Sequence, residues 1–174
     1  MILITGATGT NGTEILKRLA TADVQVRAMV RNLARASVIA LPDVEVVEGD
    51  FDRPETLLAA LAGVERAFLL TSSSEHAESQ QIAFIDAARQ SGIAHIVKLS
   101  QFDADVNAPG RFQRYHAMVE AALQASGLAY TILRARCAAA ATAKVVSSTR
   151  PTASSPMGLR FSFRSRGEVK KADE

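Results

Sequence analysis

The chain has no tryptophan, only two tyrosines and a single cysteine in 174 residues. One cysteine, Cys137, excludes an intrachain disulfide, as expected of a protein kept in the reducing cytoplasm. No apolar run is long enough to span a bilayer, so no membrane span is expected. Met1 leads straight into apolar residues with no basic segment before them, and no secretory signal is expected. The three histidines, His76, His95 and His116, are scattered. None has metal-ligand spacing with Cys or carboxylates, so no metal site is expected. There is no Gly-x-Ser-x-Gly elbow to suggest a serine hydrolase. No internal repeat and no nucleic-acid-binding module is visible, and nucleic acid is not an expected partner.

What is present describes a globular chain with an unusual tail. Hydrophobic residues make up 48% and charged residues 22%, which is ordinary for a folded domain. The net charge of +2 hides a division. Residues 1–134 hold 12 Lys/Arg against 15 Asp/Glu, and residues 135–174 hold 8 against 3. In residues 135–155, 14 of 21 are Ala, Ser or Thr, a poor composition for a core. The expected organisation is one domain over residues 1–134 and a basic, poorly ordered tail over residues 135–174. A helix extension at 138–141 and an amphipathic strand alternating through Leu159, Phe161 and Phe163 are the regular elements the tail suggests.

Strand and helix patterns alternate through the first 134 residues. Strands are expected at Met1–Thr5, Val24–Val30, Val44–Glu48, Arg66–Thr71, Ile93–Ser100 and Ala129–Arg134. Helices are expected at Thr13–Thr21, Glu55–Leu61 behind Pro54, Glu75–Gln90 and Phe112–Ser126. Such alternation predicts an α/β fold, a doubly wound parallel sheet of six strands in the order 3-2-1-4-5-6. Ligands of these sheets bind beyond the carboxyl ends of the strands, so function is read from the residues leaving each strand.

Met-Ile-Leu-Ile-Thr runs directly into Gly6-Ala7-Thr8-Gly9-Thr10-Asn11-Gly12. A strand, a glycine turn and a helix start build a socket for a pyrophosphate. Backbone N–H groups approach the phosphates and the positive helix end faces them. The pattern alone is a weak signal, but here it sits at the strand–helix junction the mechanism requires. Arg31 follows strand two, 19 residues after Gly12, where an acidic residue often serves the ribose of NAD. An arginine there suits a 2′-phosphate, with Arg35 as a second charge, and the plainer alternative is a surface arginine. Asp50 and Phe51 leave strand three. They suit an adenine amino group and ring face, or else belong to a capping loop in which Asp52 is the better cap. Thr71-Ser72-Ser73-Ser74 leave strand four, small enough to admit a ribose and nicotinamide, and one of them is expected to cap the next helix. Lys98 and Ser100 end strand five. A short-chain dehydrogenase would add a tyrosine and, four residues on, a lysine. Tyr115 is present, but position 119 is valine, so the pair is broken and Tyr115 reads as a packing residue. His116 is a weaker substitute, and no catalytic residue is assigned.

GATGTNG, VRAMVRN, the Gly49-Asp50 pair, LLTSSSE, the Ser-Gly-Ile segment before strand five and SGLAYTILR together resemble the NmrA-like group of atypical short-chain dehydrogenase/reductases. Within that group they are nearest to the NAD(P)H:quinone oxidoreductase type 2 proteins. The resemblance covers residues 1–134. It implies a Rossmann fold, a preference for NADP(H) over NAD(H), and cofactor contacts at Gly6 to Gly12, Arg31, Asp50, Phe51, Leu70, Thr71 and Ser72. The group commonly lacks the Tyr-x-x-x-Lys pair, and His116 matches a histidine of the type 2 quinone reductases. Members continue past the sixth strand into a smaller substrate domain. Here Ala135-Arg136-Cys137 open a tail unlike theirs, as a truncation or a shifted reading frame would produce. The expected function is an NADP(H)-binding oxidoreductase passing a hydride to a quinone or similar carbonyl acceptor in the cytoplasm. The alternatives are a non-catalytic NADP(H)-sensing regulator and a cofactor-binding fragment without turnover. Homo-oligomerisation is left open.

Overall fold

A computed structural model describes residues 1–39 and 41–135, together with the backbone pairing of residues 143–148. The elements run β1 (Ile2–Ile4), α1 (Thr10–Leu19), β2 (Val26–Val30), a 3-10 segment (Leu33–Ile39), β3 (Val44–Glu48), α2 (Pro54–Leu61), β4 (Arg66–Leu69), α3 (Ala77–Gln90), β5 (His95–Gln101), α4 (Arg111–Ala125), β6 (Ala129–Ala135) and β7 (Ala143–Ser148). The sheet order is β3-β2-β1-β4-β5-β6-β7. Its first six strands are parallel and follow the expected 3-2-1-4-5-6 winding. Ile4 of β1 sits between Ala28 of β2 and Phe68 of β4.

Parallel strands are covered on both faces, and the core is correspondingly double. One cluster joins Leu3, Leu69, Ile96 and Ile132 of the sheet to Leu57, Leu61, Phe84, Val119 and Leu123 of α2, α3 and α4. The other joins Ile4, Val26, Ala28 and Val30 to Leu16 of α1 and Ile39 of the 3-10 segment. Each such fully buried Leu, Ile or Phe contributes about 1.5–3 kcal/mol. Because the six strands are parallel, every carboxyl end opens on one edge of the sheet. The loops after β1, β2, β3 and β4 therefore converge there.

Three features depart from the sequence-based expectation. Helix α1 begins at Thr10 rather than Thr13, because Gly9 is extended and its carbonyl already accepts the Thr13 N–H at 2.9 Å. The first turn is polar, so apolar periodicity does not reveal it. No element is expected at Leu33–Ile39, where a 3-10 segment carries Ile39 into the core. The composition of residues 135–155 predicts no strand, yet Ala143–Ser148 pairs antiparallel with β6, Leu133 opposite Val145. The free edge of β6 offers N–H and C=O groups to a further strand, and the backbone of Ala143–Ser148 pairs with them. Residues 138–141, residues 159–164 and Cys137 lie outside the described residues.

Candidate nucleotide cleft

The turn after β1 is held by Thr5, which is fully buried. Its hydroxyl accepts the Leu70 N–H at 2.8 Å and lies 2.8 and 3.1 Å from the carbonyl oxygens of Leu70 and Phe68. This ties the end of β1 to the end of β4. Gly6 then turns with φ +60°, a region L-residues with side chains rarely adopt, and a Cβ there would sit 2.8 Å from the Leu70 carbonyl oxygen. Gly12 lies inside α1, where a Cβ would strike the Gly6 backbone, so the helix packs directly on the turn. Gly9 caps α1 with no side-chain hydrogen bond. The N–H groups of the first helical turn have no intrahelical partner.

These loops enclose a cavity of about 410 Å³. Of the thirteen residues expected at a cofactor, twelve line it: Gly6, Ala7, Thr8, Gly9, Thr10, Asn11, Arg31, Asp50, Phe51, Leu70, Thr71 and Ser72. Gly12 does not, because it serves the packing beneath. Met29, Val30, Gly49 and Gln80 also line the cavity without having been expected there. Arg31 is exposed and makes no ion pair among the described residues. The side chain of Arg35 lies outside the described residues. Asp50 is partly spoken for. One carboxylate oxygen accepts the Asp52 N–H at 3.1 Å and the other lies 3.8 Å from Arg53 Nε. The Phe51 ring meets Phe84 edge-on at 5.8 Å.

The expected caps are not found. The N-cap of α2 is Arg53, while the Asp52 carboxylate instead accepts the Gln80 amide at 2.8 Å. The N-cap of α3 is His76, again without a side-chain bond, and the buried Ser74 hydroxyl has no hydrogen-bond partner among the described residues. The Thr71 hydroxyl accepts from Gln81 Nε2 at 2.9 Å. The strand-four hydroxyls thus line the cleft or bond across to α3 rather than terminating it.

A second cavity of about 210 Å³ shares Asn11, Leu70 and Thr71 with the first and continues along the ends of β5 and β6. Ser73, Gln81, Ser100, Tyr115 and His116 line it. Tyr115 is buried among Phe112 and His116, as a packing residue would be, yet it also forms part of this wall. Burial raises its phenol above the ordinary value, opposed by a hydrogen bond with Ser73 and by Arg111. Beneath lies a polar cluster. Lys98 is fully buried, with Nζ 2.9 Å from His116 Nδ1 and 3.2 Å from the Leu99 carbonyl. Burial lowers the Lys98 ammonium to about 7, with Glu120 opposing. Burial, and then the Lys98 charge, lower His116 to about 3. Beside them Glu120 accepts from Ser100 and pairs with Arg134 at 2.5 Å. The spacing of His116 and Glu120, one helical turn apart on α4, was the available sequence signal for this cluster. Among the described residues no group of three or more His, Cys, Asp or Glu stands ready for a metal ion, and no helix is long and apolar enough to cross a membrane.

Six parallel strands in doubly wound order, with a glycine turn and helix start at the switch point, define a Rossmann-type α/β domain. A family model described as NAD(P)H-binding matches residues 6–151, and the chain belongs to that family. It is 33% identical over 134 residues to the NAD(P)H azoreductase of Xenophilus azovorans, covering 77% of this chain and 47% of that protein. It is 35% identical over 137 residues to quinone oxidoreductase 2 of Escherichia coli (strain K12), covering 77% and 48%. It is 32% identical over 142 residues to photosystem II assembly factor Ycf39 of Cyanophora paradoxa, covering 76% and 44%. Among solved structures, the Citrobacter sp. triphenylmethane reductase complexed with NADP(H) superposes with a TM-score of 0.71 at 31% identity, over 77% of this chain and 49% of that one. The Escherichia coli quinone oxidoreductase QOR2 complexed with NADPH does so with 0.70 at 34%, over 77% and 48%. An NmrA structure shares the fold, at 24% identity and a TM-score of 0.65. The chain spans about half the length of the curated relatives it matches.

Proposed function

We propose that this chain binds NADP(H) in preference to NAD(H) and reduces a quinone or similar carbonyl acceptor. The observation that carries the reading is one continuous groove. The helix start and Arg31, which makes no ion pair among the described residues, line its first part, and His116, bonded to Lys98 behind it, lines its second. The first cavity falls within the roughly 300–1,000 Å³ common for small-molecule sites. First-turn N–H groups of α1 would meet the diphosphate, and Arg31 the 2′-phosphate. Phe51 and Asp50 would border the adenine, while Leu70, Thr71 and Ser72 would lead toward the second cavity. When bound, the nicotinamide supplies a hydride. Ser73, Tyr115 and His116 offer the acceptor a wall with several hydrogen-bonding groups.

Steady-state oxidation of NADPH with a panel of quinones and other carbonyl acceptors tests this reading. Turnover faster with NADPH than with NADH supports it, and tight NADPH binding with no turnover on any acceptor refutes the catalytic part. A second reading, binding of the nucleotide without turnover as a regulator, is favoured by one observation. The chain is also 32% identical over 142 residues to a photosystem II assembly factor, Ycf39 of Cyanophora paradoxa. Capture of a partner that depends on the NADPH/NADP+ ratio would support it.

A further inference from the structure

Lys98 and His116 stand out from the rest of the core. A lysine fully shielded from water inside a β-strand is costly unless something requires it. Among the described residues its Nζ hydrogen-bonds to the Leu99 carbonyl and His116 Nδ1, at 3.2 and 2.9 Å. The nearby carboxylate does not explain it, since Glu120 is hydrogen-bonded to Ser100 and Arg134 instead. An ammonium can only donate, so Nδ1 must accept and the ring proton must sit on Nε2. That nitrogen has no hydrogen-bond partner among the described residues, and the ring is part of the wall of the 210 Å³ cavity.

We propose that Lys98 is a positioning residue that locks His116 as its Nε2–H tautomer, and that this N–H donates a proton to the acceptor's carbonyl oxygen in the second cavity. The inference rests on the reading of the groove as an NADP(H)-dependent reductase site. As the acceptor takes a hydride from the dihydronicotinamide, one of its oxygens gains charge and the dihydronicotinamide is oxidised. The His116 Nε2–H bond breaks and an O–H bond forms. His116 Nδ1 takes a proton from the Lys98 ammonium, so the ring stays neutral and Lys98 is left as the amine. Once product leaves, water in the cavity reprotonates Nε2 and Nδ1 hands its proton back to the Lys98 amine, which restores the starting tautomer. A ring lowered to about 3 remains neutral throughout, and an ammonium lowered to about 7 gives up its proton near neutral pH. The arrangement supplies a proton where Val119 stands in place of the lysine of a Tyr-x-x-x-Lys pair. The charged and titratable groups around it are Glu120 and Tyr115 on α4 and Arg134 on β6, with Asp103 acting on Arg134.

Two measurements on the full chain test this. Ring ¹³C and ¹⁵N NMR of His116, in protein without nucleotide, reads the tautomer directly. The wild type should show Nε2–H at pH 6.5. Lys98→Met should lose that bias, and Lys98→Arg, whose guanidinium also only donates, should keep it. In steady state, Lys98→Met should lower kcat at least tenfold and flatten its decline above pH 7, with NADPH affinity changed less than twofold. An Nδ1–H tautomer in the wild type, or a Lys98→Met protein with unaltered tautomer or an unaltered pH profile, overturns the proposal. The NMR arm needs neither nucleotide nor acceptor. Failure there counts against this assignment, whereas failure to bind NADPH counts against the proposed function.

Discussion

Gly12 is the residue on which the seating of α1 depends, and Gly12→Ala puts that dependence to the test. An added Cβ would lie far inside contact with the Gly6 carbonyl oxygen, and 2.8 and 2.9 Å from Gly6 C and Ala7 Cα. All three are backbone atoms, which cannot swing aside as a side-chain end would. Overpacking of one methyl costs about 1–3 kcal/mol, and a clash confined to backbone belongs at the upper end. Alanine is better than glycine inside a helix by about 1 kcal/mol. The net loss is then about 2 kcal/mol, or a melting temperature lower by roughly 4–8 °C at this chain length. Gly9→Ala is the control. Its Cβ would approach only the Gly6 carbonyl oxygen, at 3.3 Å, so it should cost less than about 1 kcal/mol while narrowing the cleft. Thermal melts and urea titrations of the two variants decide the matter. If Gly12→Ala melts at or above the wild-type temperature, the close packing of helix on turn is refuted.

The other predictions concern charge. Arg31→Ala should weaken NADPH by about 1.5–3 kcal/mol, the range for hydrogen bonds to charged groups, and leave NADH nearly unchanged. Equal losses by calorimetry would reject the phosphate role. Lys98 and His116 both titrate lower when folded than when unfolded, so the folded state binds fewer protons between each pair of values. Urea stability should therefore rise with pH between about 7 and 10.5 on account of Lys98, by a few kcal/mol at most, and fall as pH drops from 6.5 toward 3 on account of His116. Lys98→Met should abolish the alkaline rise, and a wild type without it would contradict the buried ammonium. Glu120→Ala should cost about 2 kcal/mol, below the usual 3–5 for a broken buried pair because Arg134 keeps 31% of its side chain in water. A loss under about 0.5 kcal/mol by urea titration would contradict that reasoning.

Much of the lining of the candidate cleft was legible because it is built from short contiguous signals at the ends of strands. Gly6 to Asn11, Arg31, Asp50, Phe51 and Leu70 to Ser72 each follow an apolar run, and parallel winding brings such positions together. Residues that depend on packing between distant elements were not legible. Gln80 reaches the cleft from α3 through its bond to Asp52, 28 residues away. The Lys98–His116 and Ser100–Glu120–Arg134 contacts exist only because α4 lies across β5 and β6. Caps were misjudged for a related reason. Asp52 and Ser74 have the chemistry of N-caps, but Gln80 engages the one and burial encloses the other. Strand β7 answers to an open sheet edge rather than to its own pattern.

The central claim is that the groove at the carboxyl edge of the sheet holds NADP(H). Isothermal titration of the full chain with NADPH, and separately with NADH, tests it most directly. One site per chain, with NADPH at least tenfold tighter than NADH, is the expected result. No heat from either nucleotide at millimolar concentration would contradict it.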